Sequence, residues 1–233
     1  MVKFILLFQG RTGSSYLMDA LNRHSGIFAD GEILANYSNS EPQLNRLLKF
    51  YSQNDTKKAV ACGFKTKLRD IRDKVEFKKL LENEGIRVIY LERKNVIKTV
   101  VSKFNAYRLN NLKGVWNITD GKDRISKEAI DVNEFNKWLS GTLNYKEELE
   151  EFVSKLELSL LYLYYEDLML DESGVFNKIF NFLGVGFEDI KGRFIKYTDD
   201  DLKKSLVNFD ELKRHYKGTV FENMFDEVLI KND

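Results

Sequence analysis

Five consecutive residues, Arg11-Thr12-Gly13-Ser14-Ser15, bring together the side chains that hold an anion. Glycine lets backbone come close to a ligand, the three hydroxyls add donors, and Arg11 offers a planar fork suited to phosphate or sulfate oxygens. The spacing around them matters as much. An apolar run, Val2 to Phe8, leads in through Gln9 and Gly10, and Tyr16-Leu17-Met18-Asp19-Ala20-Leu21 leads out with Leu17, Ala20 and Leu21 on one helical face. A strand entering a small-residue turn at a helix N-terminus makes an anion cradle, because the first helical N–H groups lack backbone partners and carry partial positive charge.

Four more residues end predicted elements in ways that suit chemistry. Glu32, in Asp30-Gly31-Glu32, is either a proton acceptor for an attacking hydroxyl or a surface carboxylate beside a turn glycine. Lys65 closes Gly63-Phe64-Lys65 and either points its ammonium at the same edge or is a solvated strand end. Arg93 ends the strongest strand, and Ser102 lies two to three turns into the following helix. Together they would meet a second phosphate; separately, Arg93 is a solvated charge and Ser102 an ordinary helix-surface serine.

The loop is not a Walker A motif, G-x-x-x-x-G-K-[ST], since Ser14 stands where the lysine belongs. That counts against an ordinary ATPase or GTPase. A divergent P-loop kinase and a non-catalytic nucleotide-binding protein remain as alternatives to an enzyme acting on another phosphate donor.

The elements that must position these residues alternate. Strands are expected at Val2–Gln9, Gly26–Asp30, Ala59–Lys65, Ile86–Leu91 and Leu158–Tyr165, the last as a strand buried on both faces. Helices are expected near Phe77–Glu84 and over Val96–Tyr107, Val132–Lys155, Gly174–Phe182 and Thr198–Lys213, with Asn105–Lys127 as an irregular insertion. This pattern predicts an α/β fold with a parallel sheet covered on both faces and ligands beyond the carboxyl ends of its strands. With 233 residues the chain fits a single domain, residues 1–233. A net charge of +1 gives no nucleic-acid signature, so basic sites must be local. One cysteine, Cys62, excludes an internal disulfide and a Cys-based zinc site, and two histidines make no metal centre. No stretch is apolar enough to span a membrane, and the short N-terminal run lacks a cleavage site, so a cytoplasmic protein is expected.

Taken in order, these pieces resemble the sulfotransferases that use 3′-phosphoadenosine 5′-phosphosulfate (PAPS). Arg11-Thr12-Gly13-Ser14-Ser15-Tyr16-Leu17 resembles the family's R-[ST]-G-[ST]-[ST]-x-L loop for the 5′-phosphosulfate. Gly31-Glu32 resembles the G-E of the bacterial carbohydrate-type branch, and Arg93 with Ser102 resembles the 3′-phosphate signature. Tyr165-Glu166-Asp167-Leu168, Phe182-Leu183-Gly184-Val185 and Asn208-Phe209-Asp210-Glu211-Leu212 are similar to further landmarks, the last to the ending of Nod-factor-type members. The resemblance implies a P-loop-like three-layer fold, PAPS as donor, 3′-phosphoadenosine 5′-phosphate (PAP) as product, and no metal. It also implies a hydroxyl-bearing small molecule or glycan as acceptor. Arg11, Thr12, Gly13, Ser14, Ser15, Arg93 and Ser102 would bind the donor, and Glu32, Arg11 and Lys65 would act in catalysis. The chain departs from the cytosolic small-molecule branch in having Arg11 for lysine and no counterpart of its catalytic histidine, since His24 precedes the relevant strand. That puts the base role on Glu32.

Overall fold

The computed structural model describes residues 1–54 and 59–229. All five expected strands form, as β1 (Val2–Phe8), β2 (Ile27–Asp30), β3 (Ala61–Thr66), β4 (Arg87–Glu92) and β5 (Leu160–Tyr164). They make one sheet in the order β2-β3-β1-β4-β5, with every neighbouring pair parallel. Central β1 is apolar and buried from Phe4 to Phe8 because both its faces are covered there. Phe4, Leu6 and Phe8 pack with α1 (Ser14–Leu21) and α7 (Glu172–Leu183). Ile5 and Leu7 point the other way, towards α2 (Ser40–Asn54), α3 (Lys74–Asn83) and the second half of α5 (Val132–Ser154). The result is the three-layer, P-loop-like α/β architecture.

A third cluster joins the start of α4 (Val96–Lys113) to the start of α5, α8 (Leu202–Ser205) and α9 (Phe209–His215). The short α6 (Tyr165–Leu170) follows β5 directly. The topology switches at β1, whose neighbours β3 and β4 carry the chain to opposite sides. The loops after β1 and β4 therefore open on one crevice, the usual ligand position in such sheets.

Four expectations need correction. β5 is an edge strand, and Tyr162 on it is exposed, because nothing pairs beyond it. The stretch Thr198–Lys213 is not one helix: the backbone at Leu206–Val207 pairs with Glu128, and that extended contact separates α8 from α9. α4 runs from an Asn95 cap to Gly114 in the left-handed region, so the irregular insertion begins only at Gly114. Finally, α2 and α6 had no sequence assignment.

Candidate functional site

The phosphate-loop backbone is held in a conformation that costs energy. Gly13 has φ 83°, and Arg11, a non-glycine, has φ 73°. A Cβ on Gly13 would lie 3.2 Å from the Tyr165 ring, so a side chain is unwelcome there twice over. The Thr12 hydroxyl donates to the Gln9 carbonyl at 2.8 Å and is wholly buried, which places it as a brace of the loop. No side chain caps α1, leaving its first N–H groups for a ligand.

Two cavities meet at this loop. The smaller, of about 290 Å³, is lined by Gly13, Arg93, Ser102 and Tyr165, with a roof from Phe194 to Thr198. The larger, of about 770 Å³, is lined by Glu32, Lys65, Lys67 and Lys103, with Trp116 and Trp138 at its rim. Both are bordered by Arg11, Ser14, Ser15 and Asn117. The insertion after α4 makes the partition. Arg11 donates to Ser102 Oγ at 3.2 Å, to the Trp116 carbonyl at 3.0 Å and to Asn117 Oδ1 at 3.1 Å. The same insertion holds the roof through the Ile118–Ile195 bridge and Arg124, which donates to the carbonyls of Tyr197 and Lys196.

Charge in the smaller cavity is predominantly positive, with Arg11, Arg93 and Lys196 against Glu172. Arg93 is buried, lies 4.3 Å over the Tyr165 ring, and donates to the Arg11 carbonyl at 3.4 Å. Its Nε has no hydrogen-bond partner. Burial, and then the charge of Arg93, pulls the Arg11 guanidinium down to about 10. Among the described residues neither arginine has a carboxylate at ion-pair distance. A buried and a half-buried guanidinium side by side, with an orphaned donor on Arg93, are fitted by a multiply charged anion.

In the larger cavity Glu32 is ion-paired with Lys67 and lies 3.5 Å from Lys65. Lys65 also donates to Ser15 Oγ at 2.7 Å, linking the carboxylate to the loop. Burial lowers the Lys65 pKa, Glu32 opposes that, and Lys67 and Arg11 reinforce it. Thr12 lines neither cavity, because its hydroxyl is engaged inside the loop. The other residues singled out from the sequence reach one crevice: Arg93, Ser102 and Gly13 on one side, Glu32 and Lys65 on the other, and Arg11, Ser14 and Ser15 between.

Sequence reasoning missed Asn117, Lys67 and Tyr165. The Tyr165 ring lines the smaller cavity, against the Arg93 guanidinium. Glu166 accepts from the amides of Lys94 and Asn95 and so braces the turn that presents Arg93. Among the described residues no group of three or more His, Cys, Asp or Glu is placed to hold a metal ion, and no helix is long and apolar enough to cross a membrane.

A crevice at a switch point of a parallel sheet, with a cationic loop at its centre, defines an anion-handling α/β protein of the P-loop-like class. The comparisons narrow this. The sulfotransferase domain model matches residues 10–226, and the chain belongs to that family. It is similar to nodulation protein H of Rhizobium tropici, 26% identical over 96% of this chain and 92% of the relative. Among solved structures it is similar to a sulfotransferase from Alicyclobacillus acidocaldarius, with 13% identity and TM-score 0.53 over 97% of this chain and 96% of the other. Mouse sulfotransferase SULT7A1 complexed with PAP matches at 19% identity and TM-score 0.48, covering 81% of this chain, which spans only 61% of the mouse chain.

Proposed function

We propose that this chain moves a sulfuryl group from PAPS to the hydroxyl of an acceptor, with residues 1–233 acting as one catalytic domain. The observation that carries this reading is the pair of neighbouring guanidiniums, Arg93 buried and Arg11 half-buried, without a carboxylate partner among the described residues, in a cavity sharing its wall with a second, larger one. PAPS supplies both anions such a site calls for, and its sulfuryl group is the part transferred.

Arg93 and Ser102 hold the 3′-phosphate, while Arg11 and the N–H groups of Gly13 to Ser15 hold the 5′-phosphate. Tyr165 offers an apolar wall. The acceptor hydroxyl enters from the larger cavity, where Glu32 takes its proton as the new oxygen–sulfur bond forms and the sulfur–phosphate bridge breaks. Arg11, the loop amides and Lys65 stabilise the charge that gathers on the departing phosphate, the preorganised electrostatics that usually dominates such catalysis. For Glu32 to act, one carboxylate oxygen must be free of Lys67; the oxygen facing Lys65 at 3.5 Å is the more available. The Tyr107 ring, 5.0 Å from Trp116 and 4.9 Å from Trp138, gives the larger cavity an aromatic surface. The C–H face of a sugar ring suits such a surface, because aromatic faces carry negative charge.

The test is thermal-shift stabilisation by PAP, AMP and ATP–Mg²⁺ in parallel, followed by an acceptor screen with labelled PAPS. Binding to the folded state raises the melting temperature by mass action, so PAP should rank first. A larger shift from ATP–Mg²⁺ would turn the assignment to a kinase. PAP binding without turnover on any hydroxyl compound would leave a sensor.

A further inference from the structure

The acceptor side of the site has its own unanswered charge. Lys103 is the residue after Ser102 on α4, about 100° around the helix, so α4 presents Ser102 to the smaller cavity and Lys103 to the larger. The Lys103 ammonium has one hydrogen-bond partner, the neutral Thr142 hydroxyl at 2.9 Å. Burial, and then the charge of Arg69, holds its pKa down to about 8. Arg69 lines the same cavity, its guanidinium 4.3 Å from the centre of the Tyr145 ring. Among the described residues neither Lys103 nor Arg69 has a carboxylate within ion-pair distance. Of the carboxylates lining this cavity, Glu32 is ion-paired with Lys67 and Lys65, Asp70 lies 4.0 Å from Lys67, and Glu134, among the described residues, reaches no cation at ion-pair distance.

The imbalance is general. Six basic side chains and three carboxylates line this cavity, in a chain whose formal net charge is only +1. A half-buried ammonium beside a second cation is costly unless an anion arrives to compensate it. The Thr142 hydroxyl, which itself donates to the Trp138 carbonyl at 2.7 Å, holds the ammonium in place without answering its charge. A neutral acceptor would leave both cations as they are; an anionic one would relieve them.

We propose that the larger cavity takes a hydroxyl acceptor that already bears a negative charge, a carboxylate or a phosphate or sulfate ester, and that Lys103 and Arg69 bind that anion. This rests on the reading that the smaller cavity holds the donor nucleotide. Lys103 and Arg69 thereby select the acceptor and orient its hydroxyl towards Glu32, while the reacting atoms stay with Glu32, Lys65 and Arg11.

The protein carries its own reporter, because its two tryptophans, Trp116 and Trp138, both line this cavity. With PAP present at saturation, tryptophan emission is titrated with glucose, glucuronate and glucose 6-phosphate. These share one ring and differ in charge, and the two anions separate a carboxylate source from a phosphate ester. At least one anion should bind about tenfold or more tighter than glucose, the factor that a single charge-assisted contact gives. Lys103→Gln should abolish that preference and leave PAP affinity unchanged; Arg69→Ala, at an exposed position, should weaken it and serves if Lys103→Gln fails to fold. Equal binding of all three sugars, no binding of either anion at millimolar concentration, or an undiminished preference in both variants would overturn the proposal. Failure of PAP itself to bind would instead remove the donor assignment, which calorimetry with PAP alone reads separately.

Discussion

Arg93 and Arg11 sit in one cavity but are asked to do different things, and substitutions should separate them. Arg93 is buried with its Nε unpartnered, so the contact it lacks is one a ligand must make. Arg93→Ala should weaken PAP by about 1.5–3 kcal/mol and leave AMP, which lacks the 3′-phosphate, nearly untouched. Calorimetry with both nucleotides checks this; equal losses would mean that Arg93 acts through the fold. On the proposed reading Arg11 contributes to turnover as well as binding, because leaving-group charge develops only in the transition state. Arg11→Ala should lower kcat, and Arg11→Lys should recover part of it without the bidentate contact. Its backbone adds a second expectation. At φ 73° a glycine is at ease, so Arg11→Gly should be more stable than Arg11→Ala by about 1 kcal/mol in denaturant unfolding, whatever activity either retains. Glu32→Gln keeps the shape and removes the proton acceptor. Single-turnover transfer should fall by about 10²–10⁴-fold with PAP affinity steady. A variant retaining most of its activity would take Glu32 out of the mechanism.

At the level of elements, the roof of the smaller cavity is pinned by Asp200. Its carboxylate accepts from Lys98 at 2.9 Å and Lys196 at 2.7 Å, and from the Leu229 amide. Burial alone would raise its pKa, but those hydrogen bonds prevail and hold it down to about 2 from 3.8. A group depressed in the folded state stabilises it above the unfolded value and loses that contribution as pH falls through the folded one. Stability should therefore decline between about pH 4 and pH 2, and Asp200→Asn should flatten that limb in urea midpoints measured against pH. Asp200→Ala should cost about 3–5 kcal/mol, since Lys98, 2% exposed, would be left without its counter-charge. These elements were unequally legible in the sequence. The five strands announced themselves as apolar runs, and the anion loop by glycine and hydroxyls at a strand–helix junction. α2 did not, because Gln43 and Asn54 occupy buried positions on its inner face, where apolar residues would have marked the period. Asn117 was beyond reach for another reason: it meets Arg11 across 106 residues, from an insertion without periodicity. The break between α8 and α9 likewise depends on a partner far away, Glu128.

Over the whole molecule, the sheet serves as a rigid floor whose two faces are packed by different helices, and its centre tolerates little change. Gly63 is an example, since a Cβ there would lie 2.4 Å from the Phe4 carbonyl on β1, the strand that delivers the anion loop. What this floor supports is two chambers with one common wall of Arg11, Ser14, Ser15 and Asn117. The Ser15 hydroxyl of that wall is poorly suited to carry the group from one chamber to the other. The Ser15 oxygen already receives the ammonium of Lys65 at 2.7 Å and the Asn117 amide at 3.4 Å, which turns its lone pairs away from nucleophilic attack. Donor and acceptor must then be resident together, and the kinetic order of the enzyme follows from its architecture. Initial-rate plots at several fixed acceptor concentrations should intersect, as for a ternary complex, and no labelled sulfur should remain on protein exposed to donor alone; parallel lines would point to a sulfated enzyme.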